Sequence, residues 1–340
     1  MAVQLLHADC MEYMKTLPDS SVDAIITDPP YFKVKKESWD NQWDKAHEFL
    51  SWMGDLCVEF RRILKPNGSL YLFASPQMGA RVEIEIAKHF NVLNSITWRK
   101  GGEGKKIDCI GNRQSIDGLR SFFPASEKII FAEHYGADNM AKGEAGYDAK
   151  CDKLRGFVFE PLRLYLATEW ENAGLTRKDA DAATASQMAG HWFSSVQWTL
   201  PTKENYQKLQ ARANQQGHEH LRREYEDLRR EYEDLRRYFN MTPRDQWSDV
   251  WDFDPVPGYV GKHPCEKPQA LLRHMLKISV RPGALVFDPF VGSGSMAIAC
   301  HYHGCDFAGT ELDAKYYAAA VRRFNAETGQ LDMLGGFNGN

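Results

Sequence analysis

The chain has 340 residues, 43% of them hydrophobic and 12% aromatic, enough apolar material for a sizeable core, which excludes a globally disordered protein. A formal charge of −4 excludes a general basic coat, so a polyanion would have to meet local positive charge. No apolar run approaches the ~20 residues of a membrane span, the N-terminus lacks the pattern of a secretory signal, and seven scattered cysteines read as reduced thiols of a cytoplasmic protein.

Gln4 to Asp9 reads as a short strand ending in an acid, Met11 to Leu17 as a helical turn or two, and Pro18-Asp19-Ser20-Ser21 as a turn. Val22 to Thr27 is the next strand, and its apolar run Ala24-Ile25-Ile26 leads into Thr27-Asp28-Pro29-Pro30-Tyr31. Proline fixes its own φ and restricts the residue before it, so this strand end is a stiff mouth. It can present a carboxylate, a carbonyl and a flat ring to one planar ligand. Phe32 to Lys45, with Trp39 and Trp43, reads as a loop and a candidate lid. A helix follows from Glu48 to Leu64, stopped at Lys65-Pro66-Asn67-Gly68. Then come a strand (Ser69 to Ala74), a helix (Met78 to Phe90) and two strands (Val92 to Trp98, Lys128 to Ala132). This alternation predicts an α/β fold with a mostly parallel sheet and helices on both faces.

From about Met140 the alternation breaks into helices: Glu160 to Ala173, a short one to Thr184, Ser186 to Val196, and Pro201 to Asn214. Thr176-Arg177-Lys178-Asp179 has the form of a capping box with Asp in place of Glu. Leu221-Arg222-Arg223-Glu224-Tyr225-Glu226-Asp227 is then repeated identically at 228–234. Leu221, Tyr225, Leu228, Tyr232 and Leu235 form one apolar stripe on a predicted helix of ~25 Å. Six arginines balance six acids there, so the helix either lies on the body of the protein or makes a dimer contact. After a Pro- and Trp-rich connector (Trp247 to His263), alternation resumes: helix Pro268 to Val280, strand Ala284 to Asp288, helix Gly292 to His303, strand Phe307 to Glu311, helix Ala314 to Ala326. The expected division is 1–139 and 263–340 for one α/β body, with a helical insert at 140–262.

The second anchor is Asp288-Pro289-Phe290-Val291-Gly292-Ser293-Gly294-Ser295, a strand, a glycine turn and a helix. Glycines let a ligand approach backbone amides, and a helix N-terminus favours negative charge. Glu311 ends the next strand, where an acid commonly holds ribose hydroxyls. Taken alone this could be a dinucleotide site, but the usual third glycine is missing. With Asp28-Pro29-Pro30-Tyr31 first, the helical insert second, the glycine turn last, and His263-Pro264 and Lys267-Pro268 just before it, the chain resembles the S-adenosylmethionine-dependent DNA amino-methyltransferases of the circularly permuted beta class. The resemblance spans roughly residues 1–135 and 260–326.

That resemblance implies a Rossmann-like methyltransferase sheet and specific roles. Asp28 and the Pro29 carbonyl would accept the hydrogens of a target amine, with Pro30 stiffening the turn and Tyr31 stacking on a flipped-out base. Asp9, Cys10, Lys267, Asp288, Pro289, Phe290, Gly292, Ser293, Gly294, Ser295 and Glu311 would hold S-adenosylmethionine. Asp rather than Ser at position 28 leans toward adenine N6, with cytosine N4, or an RNA or protein amide, as alternatives. The insert resembles a helix-turn-helix unit around Ala173 to Asp179, with Ser186 to Trp192 as its recognition helix. Trp39, Lys105, Lys106, Arg113, Arg177, Lys178, Gln187 and His191 are then candidate contacts to double-stranded DNA, and Arg99, Lys100 and Arg120 further phosphate contacts. Solvated loops and an ordinary helical hairpin are the bland alternatives. Beta-class resemblance and the repeat favour a homodimer. Cys300-His301-Tyr302-His303-Gly304-Cys305 is not expected to bind a metal, because its side chains diverge around a helix end.

Overall fold

A computed structural model of the chain describes residues 1–100, 120, 122, 125–134, 147–194, 198–215, 217 and 219–329, with side chains from 159 onward in the first long helix of the insert. The chain divides into two compact units, Met1–Glu133 with Tyr238–Asn340, and His134–Arg237. Among the described residues no helix is long and apolar enough to cross a membrane.

The first unit is an eight-stranded sheet: β1 (Val3–His7), β2 (Val22–Thr27), β3 (Leu64–Ala74), β4 (Asn91–Lys100), β5 (Ser126–Glu133), β6 (Val250–Phe253), β7 (Leu285–Asp288) and β8 (Asp306–Glu311), in the order β1-β8-β7-β2-β3-β5-β4-β6. Every neighbouring pair is parallel except β3–β5 and β5–β4, so β5 alone runs against the rest. Side chains alternate across a strand. Ala24 and Ile26 of β2 therefore join Val286, Tyr71, Phe131 and helices α9 (Gln269–Ser279) and α10 (Ser295–His303) on one face. Ile25 joins Phe287, Leu70 and helices α1 (Cys10–Met14), α2 (Ala46–Ile63) and α3 (Gly79–Ala87) on the other. Burial on both faces is why these strands read as continuous apolar runs. Helix α11 (Ala314–Thr328) follows β8.

The central join is between the two ends of the chain. β2 pairs with β7 in parallel, Ala24 opposite Val286 and Ile25 opposite Phe287. Both strands end at the same edge, which brings residue 28 beside residue 288. β6 is a correction to the expected connector. Val250–Phe253 pairs with Thr97–Lys100 of β4, so residues 238–262 belong to the sheet unit and the division falls after Arg237. Four residues between turn signals carry too little periodicity to mark a strand.

The second unit holds α4 (Tyr147–Asn172), α5 (Arg177–Thr184), α6 (Ala189–Phe193), α7 (Lys203–Ala213) and α8 (Tyr225–Leu235) around a core that includes Leu166, Trp170, Trp192, Tyr206, Leu209, Leu221 and Leu228. The Thr176 amide and hydroxyl both donate to Asp179 Oδ2, at 2.9 and 2.7 Å, and open α5 as the capping pattern predicts. α4 begins before Glu160 and carries Pro161 inside it. The repeat helix is shorter than expected: 11 residues, about 16 Å. Tertiary bonds capture the first heptad instead. Leu221 has φ 52°, its amide donates to Glu169 Oε2 at 2.8 Å, and its carbonyl accepts from Tyr206 and Gln210 at 3.0 and 2.6 Å. Leu221 and Leu228 are fully buried inside the unit, with Tyr225, Tyr232 and Leu235 packed against the same core. The stripe offered to a dimer contact is taken up here.

Candidate active site

Asp28-Pro29-Pro30-Tyr31 leaves the end of β2, and Asp288-Pro289-Phe290 leaves the end of β7. The Thr27 hydroxyl donates to Asp288 Oδ1 at 2.8 Å and ties the two exits together. One cavity opens there, and both segments line it, along with Asp9, Cys10, Gly292, Ser293, Ser295, Glu311, Lys267 and Trp39. Gly294 turns the chain behind the wall, at φ 76°, without lining it.

On the Asp28 side the polar groups form a chain. Lys267 Nζ donates to Asp28 Oδ2 and, at 3.2 Å, to the Tyr31 hydroxyl. That hydroxyl donates to Glu127 Oε2 at 2.9 Å, and Lys100 donates to Glu127 Oε1. Lys267 Nζ also stands 3.4 Å from Glu127 Oε2 and 4.8 Å from the centre of the Phe73 ring. Asp28 Oδ1 is buried and has no hydrogen-bond partner among the described residues. Burial pushes the Asp28 carboxyl up from its ordinary value, Lys267 opposes this, and Glu127 adds to it. Burial alone would also raise Glu127, but Lys267 and Lys100 outweigh it and bring that carboxyl down to about 2. Lys267 therefore belongs with the Asp28 cluster, although sequence reasoning placed it with the cofactor. Lys100 likewise is an internal ion-pair partner, and Arg99 is paired with Asp252 across β4 and β6. Neither is a free phosphate contact. Glu127 was missed, because a lone acid at the start of an apolar strand carries no motif.

On the other side, Gly292 (φ 51°) gives its amide to Glu311 Oε2 at 2.8 Å, and the other Glu311 oxygen accepts from Asp313 at 2.9 Å. A Cβ on Gly292 would stand 3.0 Å from the His263 ring. Asp288 is buried, and this burial lifts its carboxyl to about 7. Asp9 caps α1, accepting from the Glu12 amide at 3.0 Å, and burial pushes the Cys10 thiol up to about 12. Phe290 packs 5.7 Å from Trp52 of α2, a wall the sequence did not suggest. Glu311 retains acceptor capacity for hydroxyls. The arrangement fits a ligand with an apolar flat part and a polyhydroxylated part.

The loop after Tyr31 is tied down. Asp40, fully buried, accepts from the amides of Tyr31, Val34 and Lys35 at 2.5, 2.6 and 2.5 Å. Phe32 and Lys33 are held in the left-handed region, at φ 65° and 60°. Trp39 lies nearly parallel to His263 at 6.4 Å, while Trp43 packs on Phe49 and Trp52 and leaves the cavity.

Lys105, Lys106 and Arg113 lie outside the described residues. Arg177 and Lys178 open α5 of the second unit, where Arg177 reaches Asp181 at 3.9 Å. His191 is on α6, but Gln187 is exposed in the turn before it. The expected recognition helix is thus only five residues long, because Ser186–Met188 bends before Ala189.

A family model described as DNA methylase matches residues 22–322. Over 338 residues the chain is 24% identical to the DNA adenine methyltransferase YhdJ of Escherichia coli K12, covering 95% of this chain and 83% of that one. Among solved structures, the M1.HpyAVI–SAM complex matches with a TM-score of 0.50 at 18% identity, over 95% of this chain and 99% of that one. The cytosine-N4-specific PvuII DNA methyltransferase matches with a TM-score of 0.52 at 12% identity, over 98% and 88%. These two likenesses extend to the fold.

Proposed function

Because this chain belongs to the DNA methylase family of N6-adenine and N4-cytosine methyltransferases, we propose that it methylates the exocyclic N6 of a flipped-out adenine in duplex DNA, with S-adenosylmethionine as donor. The observation that carries the reading is Asp28 Oδ1, a buried acceptor with no partner among the described residues, in a cavity shared with the Gly292 turn. An amino nitrogen conjugated to a base is a poor nucleophile. Asp28 and the Pro29 carbonyl, by accepting its two hydrogens, return the lone pair to nitrogen. Both acceptors would stand in place before the reaction, which is electrostatic preorganisation. Tyr31 gives the base a flat surface, and reaching it requires extrusion from the stack, at a few kcal/mol. Glu311 and the Gly292 turn would hold the donor's ribose and carboxylate ends, with Asp9 and Phe290 beside its adenine. When bound, the donor supplies a sulfonium methyl group. Asp28 Oδ1 would receive the proton that the methylated nitrogen releases. Support for adenine comes from Asp at position 28 and from YhdJ.

The test is transfer of labelled methyl to duplex DNA, with the product nucleosides identified by mass spectrometry. N6-methyladenine is expected from the wild type. Asp28→Ala should lose about 100-fold or more in kcat, with cofactor affinity kept. N4-methylcytosine as product would replace adenine by cytosine, and full activity in Asp28→Ala would overturn the site.

A further inference from the structure

Glu127 stands outside both segments that mark the site, yet it contacts the three groups Tyr31, Lys100 and Lys267 around Asp28. It accepts from Tyr31 at 2.9 Å and from Lys100, and it lies 3.4 Å from Lys267 Nζ. Its side chain is 13% exposed, and that of Lys267 is 7% exposed. We infer that Glu127 is a positioning residue for methyl transfer: acting through Lys267 and Tyr31, it keeps Asp28 a strong hydrogen-bond acceptor and holds the Tyr31 ring against the target base. The inference rests on the reading of Asp28 as the acceptor of the amine's hydrogen.

The reason is one of charge and geometry. A buried ammonium bonded to Asp28 alone would form a closed ion pair and weaken that carboxylate as an acceptor. Here the ammonium is shared. Glu127 draws it from one side, and Lys100 balances Glu127 from the other, so two acids face two bases and the cluster is neutral. The hydroxyl of Tyr31 is fixed at both ends, accepting from Lys267 and donating to Glu127, which sets the plane of its ring. A bystander carboxylate that merely satisfied Lys100 would need neither contact.

Among the described residues the groups facing Asp28 are Lys267 ahead of α9, Glu127 on β5, Tyr31 on its own loop, Cys265, and Asp288 on β7. Burial pushes Cys265 up to about 12, so it stays neutral. Burial lifts Asp288 to about 7, and Asp28 and Glu311 are the charged neighbours that add to the rise. The negative charge of Glu127 raises Asp28. Removing that charge must therefore move the acid limb that reports Asp28 to lower pH.

The experiment compares wild type, Glu127→Gln, Glu127→Asp and Asp28→Ala on one duplex substrate, with kcat and KM measured across pH. Glu127→Gln is expected to lower kcat about tenfold to a hundredfold, to leave the cofactor Kd within about twofold, and to shift the acid limb of kcat downward. Wild-type kcat in Glu127→Gln, or a lowered kcat with the limb in place, overturns the inference. Should Glu127→Gln not fold, Glu127→Asp carries the test. The shorter side chain keeps the charge but withdraws from Tyr31, so kcat should fall with the limb unmoved, and an unchanged kcat overturns the inference. Activity in Asp28→Ala would instead defeat the reading of Asp28, whatever Glu127 does.

Discussion

At the scale of the residue, this site is built from acids with unlike duties. Asp28 keeps one oxygen without a partner among the described residues in a buried position, where it stays open to a ligand's donor. Asp40, five residues past the last amide it serves, does the opposite and engages both oxygens with backbone amides. Those bonds hold Phe32 and Lys33 in the left-handed region, which costs roughly 1–2 kcal/mol per non-glycine residue. Asp40→Ala strips the acceptor from three amides, of which that of Tyr31 is buried and costs about 1–3 kcal/mol when left unpaired. We expect a lowered Tm and a raised KM for DNA, with Asp40→Asn intermediate because one acceptor oxygen remains. Thermal melts and steady-state kinetics check this, and a wild-type KM in Asp40→Ala would show that the loop does not shape the cavity.

At the scale of the element, the glycine turn depends on how closely β7 and β8 approach behind it. Gly309 on β8 stands opposite Asp288, and a Cβ there would lie 2.5 Å from Val291 Cγ2 and 2.8 Å from the Asp288 carbonyl. Neither can give way without moving the turn that carries Gly292. Gly309→Ala should cost about 1–3 kcal/mol of stability through overpacking, and weaken cofactor binding about tenfold or more. Calorimetric titration with S-adenosylmethionine measures the second effect, and unchanged affinity would mean that the turn tolerates displacement. The same closeness explains why the sheet can offer backbone to a ligand at this edge. Strand ends, rather than loops alone, set the position of both anchors.

At the scale of the whole molecule, a chain of net charge −4 must meet DNA through a local excess of cations. Arg177 and Lys178 at the start of α5 are both exposed, and we expect each to neutralise one phosphate. Arg177→Ala and Lys178→Ala should each lower the slope of log Kd against log salt by about 1, while leaving cofactor affinity alone. Binding isotherms at several salt concentrations decide this, and an unaltered slope would assign the contact elsewhere. What the sequence by itself determined was whatever local rules encode: the β2 and β7 strands, the capping of α5, the two ordered segments that end in Asp28 and Gly292, and the end of α2 at Ile63, although Lys65-Pro66-Asn67-Gly68, expected as its stop turn, lie in β3. Short-range sterics and apolar period are sufficient for these, and each survives in the folded chain. Only the tertiary structure decided the lone reversal of β5, the β6 strand at residues 250–253, the unwinding of the repeat at Leu221, and the move of Lys267 to Asp28 and Glu127. Each of these depends on a partner distant in sequence, on an edge to pair with or a charge to neutralise, and no window of adjacent residues contains that partner.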